Sequence, residues 1–388
     1  MKQSLLLISL TALLFSCSNG VYLSDADAPY YKLEDVTVPT DSFDSIIERV
    51  EIVRFTSEAD IYVSPKKALL SDDKMFVLSG GQVLVFGNQG GLLGEVGKIG
   101  RGPGEYLSIL DICLSNDAEE IWCLNNHNTV LRYSVADYKY KSAVVVKQDG
   151  TANAVVPLSK DRFGLLFHNP SGPDLTNFED SFDCLKCYDL DGNPVDSFLP
   201  REDFNLSIAM YSPSIQCSDN GYVLSYISSS GMFYQVKEGG ISPLAYFDLG
   251  KNALPYRYMI DGDVDPWSRV NSVFESSYIK CLSSVCKNSK YIYGCAYGDH
   301  SLRTNYLIDV KTGKGIKWDS SRFAMPVNPI VADDDFFYFV MSPADFPPEY
   351  SVELVPDGFQ TAVEIKGGFV LDDEMNPVIV KVKFNLDD

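Results

Sequence analysis

Beyond residue 15 the 388-residue chain has no apolar run near the roughly 20 residues that a membrane-spanning helix needs. Basic residues are also short: 32 Lys and Arg stand against 53 Asp and Glu, a net charge of −21. Such a surface repels nucleic acid and anionic lipid headgroups, so neither is a candidate partner. Histidine occurs only three times, at His127, His168 and His300. Helical spacing is nearly missing as well; only 41–50 could be read that way. No Gly-x-Ser-x-Gly elbow, phosphate-cradling Gly-Lys loop, HExxH pair or dinucleotide fingerprint is present, so no familiar catalytic signature points to an enzyme class.

What is present begins at the N-terminus. Lys2 is followed by an apolar stretch from Leu5 to Phe15 and then by Ser16-Cys17. A basic start, a short apolar stretch and a small residue at the cut describe an export signal. The string Leu13-Leu14-Phe15-Ser16-Cys17 resembles the bacterial lipobox, although Phe15 is bulkier than the usual residue there. That resemblance implies cleavage before Cys17, a diacylglycerol on its thiol and membrane attachment through lipid alone. The expected division is a signal peptide over 1–16, a lipidated Cys17 with a flexible tether over 17–45, and a folded unit over 46–388. The location expected is the cell envelope, most simply the outer membrane. Ser18-Asn19-Gly20 lacks an acidic export run, which leans towards the inward side.

The folded unit repeats. Six clusters of Ser, Asp and Asn each precede a strand-like run: KMFVLSG from 74, EIWCLNN from 120, RFGLLFH from 162, GYVLSYI from 221, KYIYGCAY from 290 and FFYFVMS from 336. The starts lie 42 to 69 residues apart, a period that with several strands per unit marks propeller blades. Gly-containing hairpins such as Asn88-Gln89-Gly90-Gly91 and Asp191-Gly192-Asn193 supply the outer turns. An all-β, six-bladed β-propeller is therefore expected. The last unit lacks two strands, and the run NPVIVKVKF (376–384) with IIERVEIVRF (46–55) would complete it, closing the ring with both termini.

The string Gly97-Lys98-Ile99-Gly100-Arg101-Gly102-Pro103-Gly104-Glu105-Tyr106, the inner strand of the second unit and the closing NPVIVKVKF resemble the Bacteroidales-type six-bladed β-propeller lipoproteins. That resemblance implies the same fold and an envelope location. It implies no settled activity and no catalytic residues.

Eight cysteines remain after Cys17. Cys113, Cys217 and Cys286 end the inner strands of three units, a recurrence expected of small apolar side chains packed between blades. Cys113 with Cys123, and Cys286 with Cys295, could also bridge across hairpins. Cys184 and Cys187 have CxxC spacing, but three positions apart on a strand they face opposite ways. Buried free thiols are the expectation.

Strands that alternate in direction place the B–C and D–A connections on one face of the disc. The long insertions 169–180, 199–213, 251–278 and 343–360 fall there, as does the GRGPGEY loop. Long loops on a rigid scaffold are where binding is usually built. Candidate contacts are Arg101, Glu105 and Tyr106, with Tyr256, Arg257, Asp261, Asp263, Trp267 and Arg269 from the 251–278 insertion. Aromatic and guanidinium groups suit stacking and bidentate contact with sugars or peptides. Asp261, Asp263 and Asp265 alternate like a calcium loop but lack its turn Gly and closing Glu, so a solvated acidic loop is expected. A three-His metal site is the sharper alternative and is not favoured, because the three lie in different blades. The function expected is a lipid-anchored envelope protein that binds a glycan, peptide or protein partner, with no cofactor. A hydrolase or lyase at the channel mouth, with or without a metal, is the alternative, and a structural subunit a third.

Overall fold

In the computed structural model, six antiparallel sheets stand in a ring, each built of strands A to D from the axis outward. The structure describes residues 20–21, 28–37, 46–56, 63–147, 150–167, 182–201, 214–219, 221–225, 231–255, 266–298, 303–319, 328–342, 363–366 and 376–386. Strand A is Pro65–Ser71 in blade one, Ile109–Leu114 in two, Ala152–Ser159 in three, Ser214–Ser218 in four, Cys281–Lys287 in five and Pro329–Ala332 in six. All six strands B follow the expected Ser/Asx turns. Those turns work by local side-chain capture: Asn288 Oδ1 accepts from Lys290 N and Tyr291 N, and Asp333 Oδ1 from Asp335 N and Phe336 N.

Blade six closes with strands from both ends of the chain. Its strand C is Val378–Phe384, and its strand D is Ile47–Arg54, paired from Ile47 opposite Phe384 to Arg54 opposite Val378. Aromatic contacts then tie blade to blade. Phe76 meets Tyr138 between blades one and two, Trp122 meets Phe163 between two and three, Tyr293 meets Phe339 between five and six, and Phe55 meets Phe86 between six and one. Apart from the half-buried Tyr138, each of these rings is buried and contributes roughly 1.5–3 kcal/mol of transfer free energy.

The expectation of a flexible tether over 17–45 needs correction for its described part. Residues 30–37 are bound to the ring. Tyr30–Lys32 add to strand D of blade four in parallel, Tyr31 stacks on Phe247, and Tyr31, Leu33 and Val36 are buried. Three apolar side chains in eight residues are enough to hold this segment down once a blade edge offers free backbone groups. Residues 41–45 lie outside the described residues, and 47–50 are strand rather than helix. Among the described residues an α-helix forms at Pro266–Glu275, within the D–A connection from blade four to blade five. Its signal was Pro266 after Asp265, proline being suited to the first helical position.

Candidate functional site

The ring is bridged across its centre. Lys67, on strand A of blade one, and Asp111, on strand A of blade two, are charged side chains at the axis, and both are buried. Lys67 Nζ lies 2.7 Å from Asp111 Oδ1, while Asp111 Oδ2 accepts from Val155 N of blade three at 2.9 Å. The same ammonium lies 5.6 Å from the ring centre of Tyr222, whose hydroxyl in turn accepts from Leu114 N of blade two. Blades one to four are thus tied together through two charges and one phenol. Burial opposes the charge on Lys67, but Asp111 more than offsets it and holds the ammonium above its ordinary pKa.

Outward from this layer a cavity of about 720 Å³ opens among the A–B turns. Its inner wall is apolar: Leu69, Leu114, Pro157, Cys217 and Val331, with Tyr222. Its rim is polar, with Asn116, Asp219, Lys237, Glu238, Lys287 and Asp334. Asn116 Nδ2 is covered by protein and has no hydrogen-bond partner. Lys287 Nζ lies 3.9 Å from Asp219 Oδ1. The volume falls within the range of small-molecule sites, and an apolar wall with a few polar groups at its mouth is their usual make-up. Cys217 in that wall is no nucleophile, because burial pushes its thiol up to about 12.

The face with the long loops is described only in part. Tyr256, Arg257, Asp261, Asp263 and Asp265 lie outside the described residues, as do His168 and His300. Trp267 and Arg269 stand on the helix Pro266–Glu275. His127 is exposed on the B–C turn of blade two, its backbone N–H donating to Asn125 Oδ1. Among the described residues no three His, Cys, Asp or Glu gather as metal ligands would. Within the GRGPGEY loop, Arg101 and Glu105 are exposed. Glu105 turns back on its own loop, Oε2 accepting from Gly102 N at 2.7 Å.

Tyr106 is a correction: it is a buried wedge, not a surface contact. Its hydroxyl donates to Val96 O at 2.9 Å and accepts from Val83 N at 3.3 Å, and burial raises its pKa. The loop closes over it because Gly104 sits at φ +73°, where a Cβ would come within 2.5 Å of the Tyr140 ring.

The seven described cysteines after Cys17 are free and buried. Register explains why the two hairpin pairs do not bridge: Cys113 faces Trp122 and Cys123 faces Ile112, while Cys286 faces Tyr293 and Cys295 faces Ser283. Cys187 is buried on its strand, and the side chain of Cys184 lies outside the described residues.

Fold and site together define a six-bladed β-propeller with a bridged centre and an axial cavity. Residues 34–383 match the family described as a domain of unknown function, DUF4934, and the chain belongs to that family. No curated protein matches it. The crystal structure of a candidate exported protein from Bacteroides fragilis superposes with a TM-score of 0.71 at 15% identity, covering 92% of this chain and 99% of that one. At that identity the likeness speaks for the fold. A structure of U3-55K and a crystal structure of RRP9 WD40 repeats cover 86% and 87% of this chain at 10% and 11% identity and 98% of their own. Both have TM-scores of 0.38, and nothing is carried across from them. Among the described residues no helix is long and apolar enough to cross a membrane.

Proposed function

We propose that this protein is a lipid-anchored binding protein of the cell envelope that takes the end of a glycan or peptide into its axial cavity. The observation that supports this reading most is the cavity itself, with its apolar inner wall and polar rim. The ammonium donors of Lys237 and Lys287 at the rim suit the hydroxyl, carbonyl or carboxylate oxygens that sugars and peptides carry. The rim's two lysines and its acids also suit a polar ligand better than a lipid.

The test is an array of glycans and peptides probed with protein beginning at Ser18, alongside Asn116→Trp and Lys237→Glu. Both changes sit at the rim and spare the core. Binding that both variants weaken at least tenfold at unchanged melting temperature supports the cavity. Binding insensitive to both, but lost on deleting 256–265, moves the site to the opposite face. For the anchor, Cys17→Ser should shift the protein from the membrane fraction to the soluble one. A Cys17→Ser protein that still sediments with membrane refutes lipidation.

A further inference from the structure

Five of the six outer strands carry a parallel addition from elsewhere in the same chain. Gly20–Val21 pair with strand D of blade three, Tyr30–Lys32 with blade four, and Val363–Lys366 with blade six. Thr37 bridges to Ile316 of blade five, and Thr56 to Gly91 beside strand D of blade one. Blade two differs: among the described residues nothing pairs with the outer edge of its strand D, Tyr140–Val145. The crossover loop at Gly104 rests on Tyr140, and Gly192 of the blade-three hairpin stands against Val145 O, so residues 141–144 leave about 13 Å of open edge between them. Along it Tyr140, Lys141, Ala143 and Val145 are exposed, Val145 by 57%.

The same region gathers exposed apolar side chains. Leu93, Ile99, Leu107, Tyr140 and Val145 are five of the eight large ones among the described residues. They lie in blades one and two and the crossover between them, and that crossover rests on Tyr140 through Gly104. Charge singles the edge out as well. Residues 138–148 contain Lys139, Lys141 and Lys147 and no acid, in a chain of net charge −21. Lys139 and Lys141 already face Asp137 and Glu120, which leaves Lys147 as the charge at the exposed end of the strand.

We propose that the edge of blade two is a docking strip for an extended segment of a partner protein, which adds as a parallel fifth strand. Backbone pairing would supply affinity, as in strand addition elsewhere, and the side chains selectivity. The edge chemistry fits apolar residues alternating with Asp or Glu. A second copy of this chain is disfavoured by the mutual repulsion of two bodies at −21.

Two eight-residue peptides test this, one alternating Val and Tyr with Glu, the other the same with Lys in place of Glu. Protein beginning at Ser18 keeps every described residue and is used throughout. The Glu peptide should bind, slow hydrogen exchange at 140–145, and weaken as salt rises. The Lys peptide should bind at least tenfold more weakly. Val145→Glu with Lys147→Glu should weaken the Glu peptide at least tenfold without changing the melting temperature. No slowing at 140–145, or equal binding of both peptides, overturns the proposal. So does an edge already protected in the protein alone and released when the chain starts at residue 28, which assigns it to the N-terminal segment. A concentration-dependent dimer that protects 140–145 assigns it instead to a second copy.

Discussion

Replacing Lys67 by Met should be among the most damaging single changes available in the ring. The methylene stem survives and the inner strand keeps its apolar packing, so the loss is confined to the ammonium. Asp111 then remains buried with the Val155 amide but without its counter-charge at 2.7 Å. Breaking a buried pair from one side costs roughly 3–5 kcal/mol, because the remaining charge is stranded in low dielectric. Removing both charges, as Lys67→Met with Asp111→Leu, should recover most of that loss, since two apolar residues of similar size need no desolvation. The assay is equilibrium urea unfolding followed by tryptophan fluorescence. Trp122 and Trp318 are buried in blades two and five and so report on both sides of the ring. A single variant within about 1 kcal/mol of the parent would refute the argument. So would a double variant no more stable than the single one.

Three further outcomes follow from particular contacts. Glu120 is pulled below its ordinary pKa although burial opposes this, because Arg132, Trp122 and Lys141 all donate to it. A depressed carboxyl contributes stability that is present above its unfolded value, about 4.3, and is lost as pH falls through the lower folded one. Glu120→Gln should therefore flatten the acid limb of the stability curve and leave its slope above pH 6 unchanged. The seven described buried thiols should resist a thiol reagent in the native protein and react after unfolding without reductant; fast native labelling would contradict the burial. Gly90→Ala should cost more than about 2 kcal/mol in the same urea assay, and a neutral result would refute the closure geometry. Gly90 holds φ +84°, and its Cβ would fall 1.8 Å from Arg54 O at the junction of blades six and one.

The repeat of Ser/Asx turns, the six strands B after them and the completion of blade six from both termini were all legible in the sequence. The first two are local, since a turn captures its own backbone and alternation declares a half-buried strand within a few residues; the third joins opposite ends of the chain and follows from edges that must be paired. The buried thiols were legible because Cys113, Cys217 and Cys286 recur near the ends of three inner strands, as small side chains packed between blades do. Tyr106 was misread because an aromatic in a Gly-rich loop looks exposed until the crossover is seen to close over it. The helix Pro266–Glu275 was missed because its Asp-Pro start was weighed as part of an acidic loop. Lys67 and Asp111 could have been noticed as charges in inner strands, but their pairing could not. They are 44 positions apart and meet only because neighbouring blades stand side by side at the axis.

By itself, then, the sequence determined the blades, their number and how the ring closes, because those depend on contacts between near neighbours and on edges that must be paired. Only the tertiary structure decided that the centre is bridged, that a cavity opens among the short turns, and that the N-terminal segment lies on the ring. It alone left blade two with a bare edge among the described residues. Those features depend on which strand of one blade faces which strand of another, and that relation exists only once the whole ring has closed.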